Sequence, residues 1–284
     1  MAYPQIDGRF STYTHIGGHY IASESPVESS YAHRSPPFND APIGLLSSNY
    51  TGREEELAHI ERTFDLNHGD VQTRCGIFGM LGLGKTQLAL QYAVTSYERG
   101  RYSSIFWISG ATVEKLNQGL AKVLCLVDHP DRHRPEQSTK LTSAQRWLEE
   151  CTNWLLILDN VTQETVPFLR EHLPRQNAIG DILLTTRTWD VAEAVVSVPG
   201  RRQEVFALST LDIKDAVKLL LKEAGIHPNH VMDSHSSRAK DLVESLGRHP
   251  LAISQAASFA KQSQSNFHHI LDIYKGKNRY EVGL

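Results

Sequence analysis

Cysteine, long apolar runs and net charge are all scarce in this chain, and each scarcity removes a class of function. Cys75, Cys125 and Cys151 are the three cysteines among 284 residues, an odd number without metal-type spacing, so a disulfide framework and a zinc site are both set aside and the thiols are read as reduced and structural. No stretch comes near the roughly 18 consecutive apolar residues of a membrane helix, and Met1-Ala2-Tyr3-Pro4-Gln5 has no basic-then-apolar leader pattern. A soluble, cytoplasmic protein is expected. A net charge of −3 gives no electrostatic reason to expect nucleic acid as the main partner. Histidine is plentiful, yet His227, His230 and His235 lie near Pro228 with no cysteine or carboxylate pattern to complete a metal site, and are read as a solvated loop. The length and the 40% hydrophobic content suffice for about two cored domains.

Against that background one segment carries definite chemistry. Residues Gly79-Met80-Leu81-Gly82-Leu83-Gly84-Lys85-Thr86 have the form GxxxxGK[ST], directly after the apolar run Cys75-Gly76-Ile77-Phe78 and directly before a helical stretch beginning at Gln87. Gly79, Gly82 and Gly84 let the backbone turn tightly and aim several N–H groups at one point, which a phosphate fills at a helix N-terminus. Lys85 supplies a charge that reaches the terminal phosphates, and the Thr86 hydroxyl can join the coordination sphere of a magnesium ion. Leu83 and Gln87, inside the loop and in the first helical turn, complete the phosphate-binding set.

The surrounding pattern alternates. Residues 1–48 are rich in Ser, Pro, Gly, Tyr and His, with Ser35-Pro36-Pro37, and are expected to form a disordered N-terminal arm. Within it, two β-prone stretches flank Gly17-Gly18, a composition suited to strand, turn and strand. Thr51-Gly52-Arg53-Glu54 predicts a capping box ahead of a helix with Leu57, Ile60 and Phe64 on one face. Five strands are predicted, at Arg74–Phe78, Ser104–Ser109, Trp154–Leu158, Asp181–Thr185 and Gln203–Phe206. Helices between them are predicted around Lys85–Tyr97, Ala111–Leu126, Ser143–Cys151, Thr165–His172 and Val191–Val198. This is the signature of an α/β domain, a five-stranded parallel sheet covered by helices over residues 49–208. Helical patterns at Leu211–Ala224, Ser237–Gly247, Pro250–Gln262 and Phe267–Tyr274 then predict a small all-α lobe over 209–284.

Two strand ends extend the phosphate site. Trp154-Leu155-Leu156-Ile157-Leu158-Asp159-Asn160 is an apolar strand ending in a carboxylate, the usual place for the acid that holds magnesium through water in ATPases of this type. Asn160 follows where a second acid commonly polarises the attacking water, and an amide is a poor proton acceptor. Asp181-Ile182-Leu183-Leu184-Thr185-Thr186-Arg187 ends at the same edge, so Thr186 and Arg187 are expected to face the phosphates, with Arg187 able to contact a γ-phosphate. The run Leu246-Gly247-Arg248-His249-Pro250-Leu251-Ala252 is a helix break, with Pro250 at the first turn of the next helix.

Taken in order, Tyr50-Thr51-Gly52-Arg53-Glu54, the phosphate loop, Leu155 to Asp159, Leu184 to Arg187 and Leu246 to Ala252 resemble the NB-ARC family, the STAND-class signal-transduction ATPases of plant and fungal NLR-type receptors and of apoptosome scaffolds, with the fungal NLR-like branch nearest. The resemblance covers about residues 48–276. It implies an ADP-bound resting state and an ATP-bound state that oligomerises, with Mg2+. It also implies roles: Tyr50, Thr51 and Arg53 line the adenine, Lys85 and Thr86 hold phosphate and magnesium, Asp159 holds magnesium, Arg187 senses the γ-phosphate, and Pro250 packs on the adenine side. A switch in an innate-immunity or cell-death type pathway is therefore expected, acting through an unknown protein partner. Two departures qualify the resemblance. Asn160 replaces the second acid, so hydrolysis is expected to be slow or absent. The chain stops at Leu284, soon after the first helical (ARC1-like) lobe, and is expected to lack the winged-helix lobe and its MHD histidine. A truncated, non-cycling interaction protein and a turnover ATPase of the AAA+ kind are the alternative readings.

Overall fold

The computed structural model describes residues 13–16, 19–22, 36–65, 72–174, 179–197, 203–226, 233–263, 267, 269–270 and 272. His227 and His230 fall outside them, as do most of residues 1–35 and much of the helix expected over Phe267–Tyr274. The chain divides into two units, Met1–Arg34 and Ser35–Leu284. In the first, strands β1 (Tyr13–Ile16) and β2 (His19–Ala22) pair antiparallel with Tyr13 opposite Ala22 and Ile16 opposite His19, on either side of Gly17-Gly18.

The second unit is built on a parallel sheet. Strand β4 (Thr73–Phe78) lies between β7 (Ile179–Thr186) and β8 (Gln203–Ala207); β6 (Thr152–Val161) flanks β7, and β5 (Ser104–Ser109) flanks β6. The sheet has six strands, one more than the sequence pattern supplies, because β3 (Phe38–Asn39) adds to the free edge of β5. β3 lies within the stretch 1–48 that the sequence pattern assigned to the arm. A two-residue strand has no periodicity to detect; it is held by distant partners instead. The Phe38 ring meets Phe106 edge-on at 5.2 Å, Asp40 pairs with Lys122, and Tyr97 donates its hydroxyl to the Pro37 carbonyl.

Every strand pair in this sheet is parallel, so both faces need cover. Trp154 to Leu158 are all fully buried, as a strand covered on both sides demands. Cys75, Ile77, Leu155, Ile157 and Leu183 form one core with Ile60 and Phe64 of helix α1 (Glu54–Asp65) and with Leu88 and Tyr92 of α2 (Lys85–Glu98). Around the sheet lie α3 (Val113–Leu126), α4 (Gln137–Glu150), α5 (Val166–His172) and α6 (Trp189–Val196). After β8 the chain becomes helical: α7 (Ile213–Glu223), α8 (Asp233–Ser245) and α9 (Pro250–Ser263) close over a separate core of Leu219, Leu220, Leu242, Val243, Ile253 and Ala257. Among the described residues no helix is long and apolar enough to cross a membrane.

The edge of the sheet opposite the strand ends carrying Asp159 and Arg187 holds a buried polar chain. Tyr102 donates to the Asp181 carboxylate at 2.6 Å while accepting from Arg101 Nε at 3.1 Å, and the Tyr92 hydroxyl lies 3.2 Å from that of Tyr102. Burial raises the Asp181 pKa from 3.8 to about 6, against the opposing pull of the Tyr102 hydrogen bond and of Arg101. A raised carboxylate pKa means the native state binds the proton more tightly, so this stabilisation is full below about pH 3.8 and is lost as pH rises through about 6. At pH 8 the buried charge then costs about 3 kcal/mol, the shift of roughly two units. Asp181→Asn keeps an acceptor for Tyr102 and is expected to raise the melting temperature at pH 8 by several degrees, with the gain shrinking toward pH 4.5. Thermal melts across that range check this; an equal loss at both ends would contradict it.

Candidate functional site

The loop Gly79 to Gly84 leaves the carboxyl end of β4 and runs into α2, whose N-cap, Gly84, has φ of +93°. An N-cap without a side chain leaves the first helical N–H groups open toward the loop, where an anion is favoured. Lys85 lies across the loop and donates to the Gly79 and Met80 carbonyls at 2.7 and 2.8 Å. Its ammonium is held below its ordinary pKa first by burial and next by the nearby Arg187, with Asp159 pulling the other way. Two like charges close enough to perturb one another are mutually unfavourable, and an anion beside the loop relieves both.

Asp159 sits where β6 is interrupted. Leu158 is opposite Leu184 and Val161 opposite Thr186, so β6 spends one residue more than β7 between these pairs, and Asn160 takes the left-handed conformation at φ +60°. Asn is among the few side chains that accept that backbone readily. The bulge turns Asp159 toward the loop: Thr86 donates to its Oδ1 at 2.8 Å and Thr185 to the same oxygen at 2.7 Å. Thr185 in turn accepts from the Asn160 N–H at 2.8 Å, fixing the bulge. A hydroxyl and a carboxylate side by side at the end of a phosphate loop are the oxygen donors that a magnesium–phosphate group needs, and these residues fit it.

Of the two threonines, Thr185, which is not among the sequence-predicted site residues, reaches Asp159, while Thr186, which is among them, is placed differently. The Thr186 hydroxyl donates to the Val161 carbonyl at 2.8 Å and is buried, away from Asp159. Side chains alternate along a strand, so Thr185 and Thr186 cannot face the same ligand. Arg187, one position beyond the strand, is exposed and near Lys85.

The capping box expected at Thr51 and Glu54 does not form. Gly52 and Arg53 both take positive φ, +73° and +70°, and carry the chain abruptly into α1. Gly52 is required there: a Cβ would lie 2.3 Å from the Asp215 carboxylate of α7. The Thr51 hydroxyl and the Tyr50 phenol are buried without a hydrogen-bond partner, an arrangement native proteins avoid unless a ligand or water completes it. These two groups fit a polar heterocycle. Arg53 is occupied differently, donating to Glu56 at 2.6 Å, to the Leu83 carbonyl at 3.1 Å and to the Ser209 carbonyl at 2.6 Å. It ties α1 to the loop and to the connection between the lobes. Gln87 likewise uses both ends of its amide on protein, accepting from Ser47 N and donating to the Leu45 carbonyl. Pro250 opens α9, in the turn that reaches the loop through His249 and Leu251.

The NB-ARC domain pattern matches residues 54–230, from the first residue of α1 to beyond α7. The chain belongs to the NB-ARC family. A nucleotide-binding leucine-rich repeat (NLR)-like protein of the fungus Hyaloscypha variabilis is 29% identical over 265 residues, covering 86% of this chain and 25% of that protein. This NB-ARC chain thus spans about a quarter of that relative's length. Among solved structures, Cdc6p of Pyrobaculum aerophilum aligns over 82% of this chain and 68% of its own at a TM-score of 0.55 and 15% identity. The ADP form of the Aeropyrum pernix ORC2 protein aligns over 81% and 70% at 0.52 and 17%. At such identities the likeness is one of fold: a P-loop NTPase sheet followed by helices. Membership accounts for the phosphate-loop motif, and nucleotide binding is what the family implies.

Proposed function

We propose that this NB-ARC chain is an adenine-nucleotide switch, holding ADP at rest and ATP in a state that favours self-association, with slow hydrolysis. The observation that carries the reading is the convergence of Thr86 and Thr185 on Asp159 beside the cation pair Lys85 and Arg187. Lys85 and the loop N–H groups hold the β-phosphate end of either nucleotide, and Tyr50 and Thr51 complete the adenine side. A magnesium ion, when bound, supplies charge neutralisation; Thr86 and Asp159 would hold it. Arg187 is assigned the distinction between the two states, because its exposed side chain follows the end of β7 and is close enough to Lys85 to perturb it. Control of assembly in an immunity or cell-death type response is the role this reading assigns.

Arg187→Ala is expected to weaken a non-hydrolysable ATP analogue by about 5- to 150-fold, the coupling typical of a two-state switch, while changing ADP affinity little. Titration calorimetry with both nucleotides checks this. Equal losses for both would give Arg187 a structural role and remove the switch.

A further inference from the structure

The carbonyls of the phosphate loop divide into two groups by where their donors come from. Gly79 and Met80 take Lys85, and Gly84 takes the Leu88 N–H in the first turn of α2. The three between them are held from outside the loop. Leu81 O lies 3.0 Å from His249 Nε2, Gly82 O accepts from the Leu251 N–H at 3.3 Å, and Leu83 O accepts from Arg53. A carbonyl can only accept, so His249 carries its proton on Nε2. Leu251 is in the first turn of α9, and its N–H, unsatisfied within the helix, finds its partner in the loop. The approach is close: a Cβ on Gly82 would lie 2.6 Å from His249 Cε1 and 2.9 Å from Leu251 Cβ. The turn that presents these donors is itself fixed. Gly247 and Arg248 are both left-handed, Arg248 N donates to Val243 O at 2.8 Å, and Leu211 N donates to Arg248 O at 3.2 Å.

A peptide unit that aims its N–H at an anion aims its carbonyl away from it. Whatever holds the outer carbonyls therefore sets the direction of the inner N–H groups. We infer that His249, together with the Leu251 amide, is a positioning element through which the helical lobe holds the phosphate loop in its anion-binding form, so that lobe docking and phosphate binding strengthen each other. The inference rests on the nucleotide reading of the loop. His249 does not touch the phosphates in this account; it acts through Leu81. Both donors lie outside residues 54–230, beyond the part of the chain that the family pattern matches. Linkage makes the effect reciprocal: nucleotide must protect the docked turn as much as the docked turn favours nucleotide.

The test uses the full chain and ADP with Mg2+. His249→Ala is expected to weaken ADP by about five-fold, the worth of one neutral hydrogen bond. His249→Gln, which keeps an N–H donor of similar reach, is expected to recover most of that loss. In the wild type, ADP should slow hydrogen exchange at the Leu251 amide, and this readout stands even if His249→Ala folds poorly. Unchanged ADP affinity in a folded His249→Ala protein, or Leu251 exchange indifferent to bound ADP, would overturn the inference while leaving the nucleotide site intact. A wild-type chain that binds no ADP would overturn the nucleotide reading itself.

Discussion

Asn160→Asp is expected to accelerate single-turnover ATP hydrolysis by something on the order of 10² to 10⁴, the usual contribution of a general base. The substitution tests chemistry with little disturbance of geometry. Asn160 occupies a left-handed bulge position at φ +60°, which Asp also accepts readily, and the Thr185 bond that fixes the bulge is made by the backbone N–H of residue 160 and not by its side chain. Asp159, the Thr86 hydroxyl and the loop are untouched, so nucleotide affinity should stay within about two-fold. The wild type should hydrolyse slowly because an amide cannot take the proton of an attacking water. Quenched-flow or filter-binding measurement of one turnover separates the step from product release. Wild-type turnover at ordinary enzyme rates, or a variant no faster than wild type, would remove the role given to this residue.

The reach of sequence reasoning was set by physical range. The loop, its strand and its helix are contiguous and depend on local backbone geometry, so the strand, glycine loop and helix around GxxxxGK[ST] were legible, and Gly79 to Gly84 connects β4 to α2 as expected. Strands β5, β6 and β7 were legible because near-continuous apolar runs mark burial on both faces. What escaped depends on partners far along the chain. Strand β3 is recognisable only through Phe106, Lys122 and Tyr97, tens of residues away. The choice between Thr185 and Thr186 needed the bulge at Asp159 and Asn160, which no pattern in a single strand announces. Thr51 looked like a helix cap because Glu54 followed it at the right spacing, yet the close pass of Asp215 against Gly52 imposed another backbone path. In Arg53 and Gln87 the residue types were those of ligand binding, while their bonds go to the protein that shapes the site.

Lys85→Ala bears on the central claim, that the loop between β4 and α2 holds an adenine nucleotide by its phosphates. Lys85 is the cation placed over the loop, and among the described residues its hydrogen bonds go to the Gly79 and Met80 carbonyls on the loop's own rim. Its removal therefore takes away charge-assisted bonds to phosphate worth about 1.5 to 3 kcal/mol each. It also leaves Arg187 as a cation near the loop, so on the order of a 10²-fold loss of affinity or more is expected. The sheet core does not depend on the ammonium, and unfolding without nucleotide should change little. The decisive measurement is the thermal shift produced by saturating ADP with Mg2+ in the wild type and in Lys85→Ala, since ligand stabilisation follows occupancy, reaching about 4 kcal/mol at a thousand-fold excess over Kd. The account predicts a shift of several degrees in the wild type that falls to about a third or less in the variant; an equal shift in both, or none in the wild type, would contradict it.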